Sequence, residues 1–276
     1  MCRKYLVIAG DGRQREIVQL LKARGESVEY IKKNMDDSEL ASIICQCDTV
    51  ILPLPVSKNA KTLFSDDDSL QISVDSVFSA LNSNHAVIAG GFDCCMRQML
   101  KEKNIAFIDC LKDEGFSIYN AFLTAQGALQ LMLENCDDYL PSKRVLITGY
   151  GRVGKACAAM LKSLGCDVYV AARRMAQRTE AETANCKTLS TDEIGANVFL
   201  FDFVLNTVPS RLFDEKATGL FKRGSVYIEL ASSPFGADKA AFENSRACYV
   251  NGSSLPGRLC RMASAKAILR ETDSFL

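Results

Sequence analysis

Short apolar runs alternate along the whole chain with segments whose apolar positions recur at helical spacing. Runs at 5–9, 48–52, 86–89 and 105–109 predict one set of strands, and runs at 144–148, 167–171, 203–206, 226–230 and 248–250 predict a second. Strands interleaved with helices are the signature of parallel α/β sheets. Between the two sets, residues 116–135 carry Phe116, Tyr119, Phe122, Leu123, Leu129, Leu131 and Leu133, with Gln126 as a polar interruption, which predicts one long helix. Asp137-Asp138-Tyr139-Leu140-Pro141-Ser142 then reads as a linker, acidic and proline-containing. The expected fold is α/β, with two Rossmann-like, doubly wound parallel-sheet domains joined by a long helix. The expected domains are 1–136 with the bridging helix, and 137–256.

A weak internal repeat supports that division. Val7-Ile8-Ala9-Gly10-Asp11-Gly12-Arg13 parallels Leu146-Ile147-Thr148-Gly149-Tyr150-Gly151-Arg152, and each copy leads into a helix, a glycine (Gly25, Gly165) and another strand. The copies differ at the third glycine, which is Gly154 in the second and Arg15 in the first. Gly149-Tyr150-Gly151-Arg152-Val153-Gly154 therefore completes the dinucleotide fingerprint: a tight turn, a close backbone approach to the pyrophosphate, and tight helix–strand packing. The helix that follows offers N–H donors and a partial positive charge to phosphates. At the end of the next strand, where NAD sites place a carboxylate for the ribose 2′-OH, the chain has Ala171-Ala172-Arg173-Arg174. Arginines there suit the additional phosphate of NADP, so NADP is the expected cofactor. Thr207, with Val208 and Pro209 after one strand, and Ser232 after the next are candidates to contact the nicotinamide riboside, the alternative being plain strand-to-helix turns.

In the first copy Arg15 obstructs the close helix–strand contact, so a smaller anion is expected. Arg13, Gln14 and Arg15 at a helix N-terminus offer donors suited to carboxylates. Composition narrows the partners further. The 33 Lys plus Arg balance 33 Asp plus Glu, which leaves no net positive field for nucleic acid or anionic lipid. No run approaches the ~18 apolar residues of a membrane span, and the apolar stretch at 5–9 is too short for a signal core. The 12 cysteines contain no C-x-x-C and only one histidine, His85, is present, so no metal site is expected. Cys136, Cys157, Cys166 and Cys248 fall in apolar surroundings and read as small buried hydrophobes, and a reducing, cytoplasmic setting follows. His85 reads as the polar lead-in to a strand, and Asp66-Asp67-Asp68 as a solvated loop.

The ordered set of motifs resembles the A-subunit family of dipicolinate synthases. It comprises Gly10–Gln14, Leu52-Pro53-Leu54-Pro55, Asn120-Ala121-Phe122-Leu123-Thr124-Ala125-Gln126-Gly127-Ala128, Gly149–Gly154 followed by Ala171–Arg174, then Asn206–Pro209, Leu230-Ala231-Ser232 and Leu255-Pro256-Gly257-Arg258. The chain departs from the family pattern at Gln126, where the family has Glu, and over 259–264. The resemblance implies an oxidoreductase of sporulating bacteria. Such an enzyme acts with a flavoprotein-like second subunit to form pyridine-2,6-dicarboxylate from a cyclic dicarboxylate, 4-hydroxy-tetrahydrodipicolinate, with NADP⁺ as hydride acceptor. It also implies that residues 257–276 return to the first domain and that Pro256 and Gly257 face the substrate. In this reading Arg13 holds a substrate carboxylate with Gln14 beside it, while Asp11, Asn120 and Thr124 position the ring or a water. A homo-oligomer is left open. Two other readings share the cofactor half: another two-domain NADP dehydrogenase, similar to the shikimate or methylenetetrahydrofolate enzymes, and a nucleotide-binding regulatory subunit inactive by itself.

Overall fold

In the computed structural model, which describes residues 3–276, the chain divides into two compact units, 1–117 with 256–276 and 118–255. The first unit contains β1 (Lys4–Ile8), α1 (Gly12–Ala23), β2 (Ser27–Ile31), α2 (Asp37–Ile44), β3 (Thr49–Ile51), α3 (Val74–Ala80), β4 (Ala86–Ala89), α4 (Cys94–Glu102) and β5 (Ala106–Asp109). The bridging helix α5 (Glu114–Glu134) follows, and the division between units falls in its first turn, so most of it goes with the second unit. The second unit contains β6 (Arg144–Thr148), α6 (Arg152–Ser163), β7 (Asp167–Ala171), α7 (Met175–Thr183), β8 (Lys187–Leu189), α8 (Ile194–Asn197), β9 (Phe203–Asn206), α9 (Glu215–Thr218), β10 (Val226–Glu229) and β11 (Cys248–Asn251). The short α10 (Leu255–Arg258) and α11 (Arg261–Phe275) close the chain, and 256–276 belong to the first unit.

Both sheets are parallel throughout. The first has order β2-β1-β3-β4-β5, and the second β11-β10-β9-β6-β7-β8. Read from its own first strand, the second sheet has the 3-2-1-4-5-6 order of dinucleotide-binding folds; the first has the shorter 2-1-3-4-5 order. In each, strand order reverses beside the opening strand, between β1 and β3 and between β6 and β9. Ligands bind outside the carboxyl ends of strands at such a reversal.

Strand alternation builds the first unit's two core layers. Leu6 and Ile8 of β1, Val50 of β3 and Val87 of β4 pack with α2, α3 and α4 residues such as Leu40, Phe78 and Leu100. Their neighbours Tyr5, Val7, Ile51 and Ile88 face the other way, onto Ile17 and Leu21 of α1 and Ala265, Ile268 and Leu269 of α11. The C-terminal helix thus supplies part of the first unit's core. In the second unit an aromatic cluster includes Tyr227, whose ring centroid lies 5.5 Å from Phe213 and 4.9 Å from Phe242. No helix among the described residues is long and apolar enough to cross a membrane.

Cysteine burial follows the apolar reading only in part. Cys157 and Cys166 are buried, Cys136 is half-buried and Cys248 is exposed. Cys248 opens the edge strand β11, whose outer side has no neighbouring strand among the described residues. Burial pushes the Cys157 thiol up to about 12. His85 is buried immediately before β4, with Nε2 3.0 Å from the Ile44 carbonyl. Asp67 accepts from the Ser69 amide and hydroxyl in an exposed loop.

Candidate functional site

Two glycine turns, one per unit, stand at the strand-order reversals, and the same local sequence builds them differently. In the second unit β6 ends at Thr148 and the chain turns through Gly149 at φ +86°, a conformation that favours glycine. A Cβ on Gly154 would lie 2.3 Å from the Gly149 carbonyl oxygen, so the third glycine is required by contact with backbone. At Gly151 a Cβ would meet nothing within 4 Å. That residue is the N-cap of α6 and brings no side-chain hydrogen bond to the first turn.

Beside this turn lies a cavity of about 560 Å³, within the range of small-molecule sites. Gly149, Tyr150, Gly151, Arg152 and Val153 line one side, Arg173 and Arg174 a second, and Thr207, Val208 and Pro209 a third. The sequence motifs at the ends of β6, β7 and β9 therefore converge on one space. Gly154 lies beneath the turn and Ser232 is exposed on the loop after β10; neither is among the lining residues. Gln177, Thr191, Ser210 and Leu212 also line the cavity, and only Ser210, adjacent to Pro209, had a sequence neighbour to announce it. No Asp or Glu is among the lining residues, and Arg173 and Arg174 are exposed without a side-chain partner among the described residues. The donor set thus fits an anionic dinucleotide: an uncapped helix start, a glycine that admits close approach, and unpaired guanidiniums.

Under the cavity a buried polar network holds the β9 loop. Thr148 donates its hydroxyl to Asn206 Oδ1 (2.5 Å), and Asn206 Nδ2 donates to Glu229 Oε1 (2.6 Å) and the Val208 carbonyl (3.0 Å). Glu229, at 0% exposure, also accepts from Tyr227 Oη (2.7 Å) and from the amides of Ala231 (3.0 Å) and Gly236 (2.8 Å). Hydrogen bonds instead of a cation satisfy this carboxylate. Burial, and Glu229 beside it, push the Tyr227 phenol far above its ordinary value. Thr207 spends its hydroxyl proton on the Thr148 carbonyl (2.7 Å).

In the first unit the turn passes through Gly10 at φ +90° into α1. Here the N-cap is Asp11. Its carboxylate accepts from the Arg13 amide (3.0 Å), while Gln14 Oε1 accepts from the Asp11 amide (2.9 Å), a complete capping box. The same carboxylate accepts from Arg13 Nε (2.9 Å) and Nη2 (2.7 Å), and Nη2 also donates to the Leu54 carbonyl. Asp11 and Arg13 are both buried, so the pair is shielded. Arg13 Nη1 has no partner among the described residues. The chain's own C-terminal segment covers the turn: a Cβ on Gly257 would lie 2.1 Å from Asp11 Oδ2, and one on Gly12 would lie 2.1 Å from Arg261 Cδ.

The structure gathers Asp11, Arg13, Gln14 and Gly257 at this turn, with Pro256 buried next in sequence. Asn120 and Thr124 stand on α5 in the second unit, where Thr124 donates its hydroxyl to the Asn120 carbonyl (2.9 Å). Arg15 points to solvent and pairs with Asp66 (2.9 Å).

Residues 4–111 match the family model of the N-terminal domain of the dipicolinate synthase A subunit. Residues 122–242 match that of the NAD-binding domain of D-isomer-specific 2-hydroxyacid dehydrogenases. The chain is 24% identical over 269 residues to the dipicolinate synthase A subunit of Bacillus subtilis, covering 92% of this chain and 89% of that protein. The crystal structure of that A subunit from Bacillus subtilis superposes with a TM-score of 0.78 at 20% identity, covering 99% of this chain and 95% of that one. Its counterpart from Bacillus halodurans gives 0.79 at 19% identity, with 99% and 97% covered. The second unit thus matches an NAD-binding domain of the dehydrogenase type, and along nearly its whole length the chain is similar to the dipicolinate synthase A subunit.

Proposed function

We propose that the chain is the NADP-dependent subunit of a dipicolinate synthase. It would form pyridine-2,6-dicarboxylate from 4-hydroxy-tetrahydrodipicolinate in the cytoplasm, together with a flavoprotein-like second subunit. The observation that carries the cofactor choice is the second unit's cavity: among the described residues Arg173 and Arg174 border it unpaired, and no carboxylate lines it to receive a ribose 2′-OH. When bound, NADP⁺ supplies the hydride acceptor. The substrate loses water and one hydride with a proton, and aromatisation of the ring makes this downhill.

The chain's own residues then have to bind, orient and exclude water. Gly149 and Gly151 admit the pyrophosphate to the start of α6, and the Asn206–Glu229 network fixes Thr207, Val208 and Pro209 against it. Arg13 is the carboxylate ligand of the substrate. Asp11 and the Leu54 carbonyl hold its Nε and Nη2 edge, which leaves Nη1 for the diacid. Gln14, Pro256 and Gly257 of the first unit, and Asn120 and Thr124 of α5, are the other proposed substrate-side residues.

The test mixes the full chain with its second subunit, NADP⁺ and freshly generated 4-hydroxy-tetrahydrodipicolinate, and follows the ultraviolet absorption of the pyridine product. Product is expected with NADP⁺, and Arg13→Ala is expected to abolish turnover while leaving NADPH affinity intact. Tight NADPH binding with no product from the complete mixture would overturn the assignment.

A further inference from the structure

The geometry points to Arg178 as a positioning residue for cofactor choice: it clamps the turn that presents Arg173 and Arg174 to the 2′-phosphate of NADP. This rests on the NADP reading above. Arg178 lies in the second turn of α7, yet its guanidinium reaches back past the helix start. Nη1 donates to the Ala172 carbonyl (2.7 Å) and to the Arg173 carbonyl (3.0 Å), and Nη2 lies 3.7 Å from Met175 Sδ. On its other side the turn is tied to β8, through the Ala172 amide and the Leu189 carbonyl (3.1 Å). Gln177 beside it reaches the Tyr150 carbonyl of the glycine turn (3.4 Å).

Three physical consequences follow. Two consecutive carbonyl oxygens that would repel an approaching phosphate are bonded to a cation instead. The backbone that carries Arg173 and Arg174 is held in one conformation, so less freedom is lost when their side chains engage an anion. The α7 start, which has no acidic residue in its first turn and no side-chain cap, remains electropositive. A cation so near a helix N-terminus opposes the helix dipole, and helix stability alone gives no reason for it. Arg178 has no ion pair among the described residues that would account for it as a surface bridge. Its two carbonyl bonds go to Ala172 and Arg173 on the rim of the cofactor cavity.

The experiment titrates NADPH and NADH against the full chain for the wild type, Arg178→Ala, Arg178→Lys and the double variant Arg173→Ala/Arg174→Ala. Arg178→Ala is expected to weaken NADPH roughly tenfold and NADH less than about twofold, with the ligand-free melting temperature nearly unchanged. Arg178→Lys, which keeps the charge and one reach to a carbonyl, is expected to fall between, and it carries the test if the alanine variant fails to fold. Equal weakening of both cofactors, or of neither, in a folded Arg178 variant would overturn the positioning role. A wild type without NADPH preference, or a double variant that retains it, would instead overturn the NADP reading itself.

Discussion

The two glycine turns begin alike, Gly-Asp-Gly-Arg and Gly-Tyr-Gly-Arg, and end with opposite chemistry. At the second, Gly151 caps α6 with no side chain, and the helix start faces a cavity. At the first, the Asp11 carboxylate satisfies the α1 start, lodges a negative charge where a phosphate would sit, and is covered by Gly257. One turn keeps its helix-start amides for a ligand, and the other spends them on its own cap and leaves only Arg13 Nη1 over. The third glycine is therefore only part of the distinction; the residue that caps the helix decides whether a phosphate is welcome at the helix-start amides.

Transplanting the cap should show this with the largest effect. Gly151→Asp adds a side chain into open space. Asp is a somewhat better N-cap than the Gly it replaces and should stabilise α6 by about a few tenths of a kcal/mol. The same carboxylate would face the pyrophosphate, and NADPH affinity should fall by roughly 1000-fold, or about 4 kcal/mol. A titration and a thermal melt on one sample check both. Retained affinity would break the comparison.

The converse change belongs to the first unit. Asp11→Asn removes the partner of a buried guanidinium, and breaking such a pair costs about 3–5 kcal/mol because Arg13 is left uncompensated. Denaturant unfolding should show that loss, while NADPH binding by the second unit should stay within about twofold.

Much of this contrast is legible in the amino-acid order alone. The buried strands 86–89, 144–148, 167–171 and 203–206 coincide with β4, β6, β7 and β9 because continuous apolar runs leave few alternatives. β8, Lys187–Leu189, carries no such signal: it is a short edge strand with a lysine. The cofactor turn is readable since its residues are contiguous and each glycine has a steric duty. Glu229 is not, because a carboxylate ending an apolar strand finds its four donors at residues 206, 227, 231 and 236, which only the fold assembles. Arg261 over Gly12 is likewise invisible from either end of the chain.

A smaller effect separates the units by pH. Each holds a thiol pushed up to about 12: Cys110 in the first, by burial and then by Glu271 and Asp109, and Cys157 in the second, by burial. Both values are raised from 9.0, so the folded state keeps its protons where the unfolded chain has lost them. The contribution is full below pH 9 and is lost as pH rises from there toward 12, by about 1 kcal/mol per thiol near pH 10. Cys110→Ala should flatten the alkaline fall of the first unit's calorimetric transition and Cys157→Ala that of the second. A slope unchanged by either variant would remove the thiols as its cause.

The smallest expected change is the most direct challenge to reading motifs as sites. Arg15→Ala completes G-x-G-x-x-A in the first unit, a form that dinucleotide turns also use. It gives up a solvent-exposed pair with Asp66, worth ~0–1 kcal/mol, and gains the better helix former within α1, so stability should move by less than about 0.5 kcal/mol. The completed motif should bind no second cofactor, because Asp11 still occupies the α1 start and Arg261 still lies over Gly12. NADPH stoichiometry by calorimetry should remain one per chain; a value of two would mean that the third glycine position, and not the cap, governs which turn takes a dinucleotide.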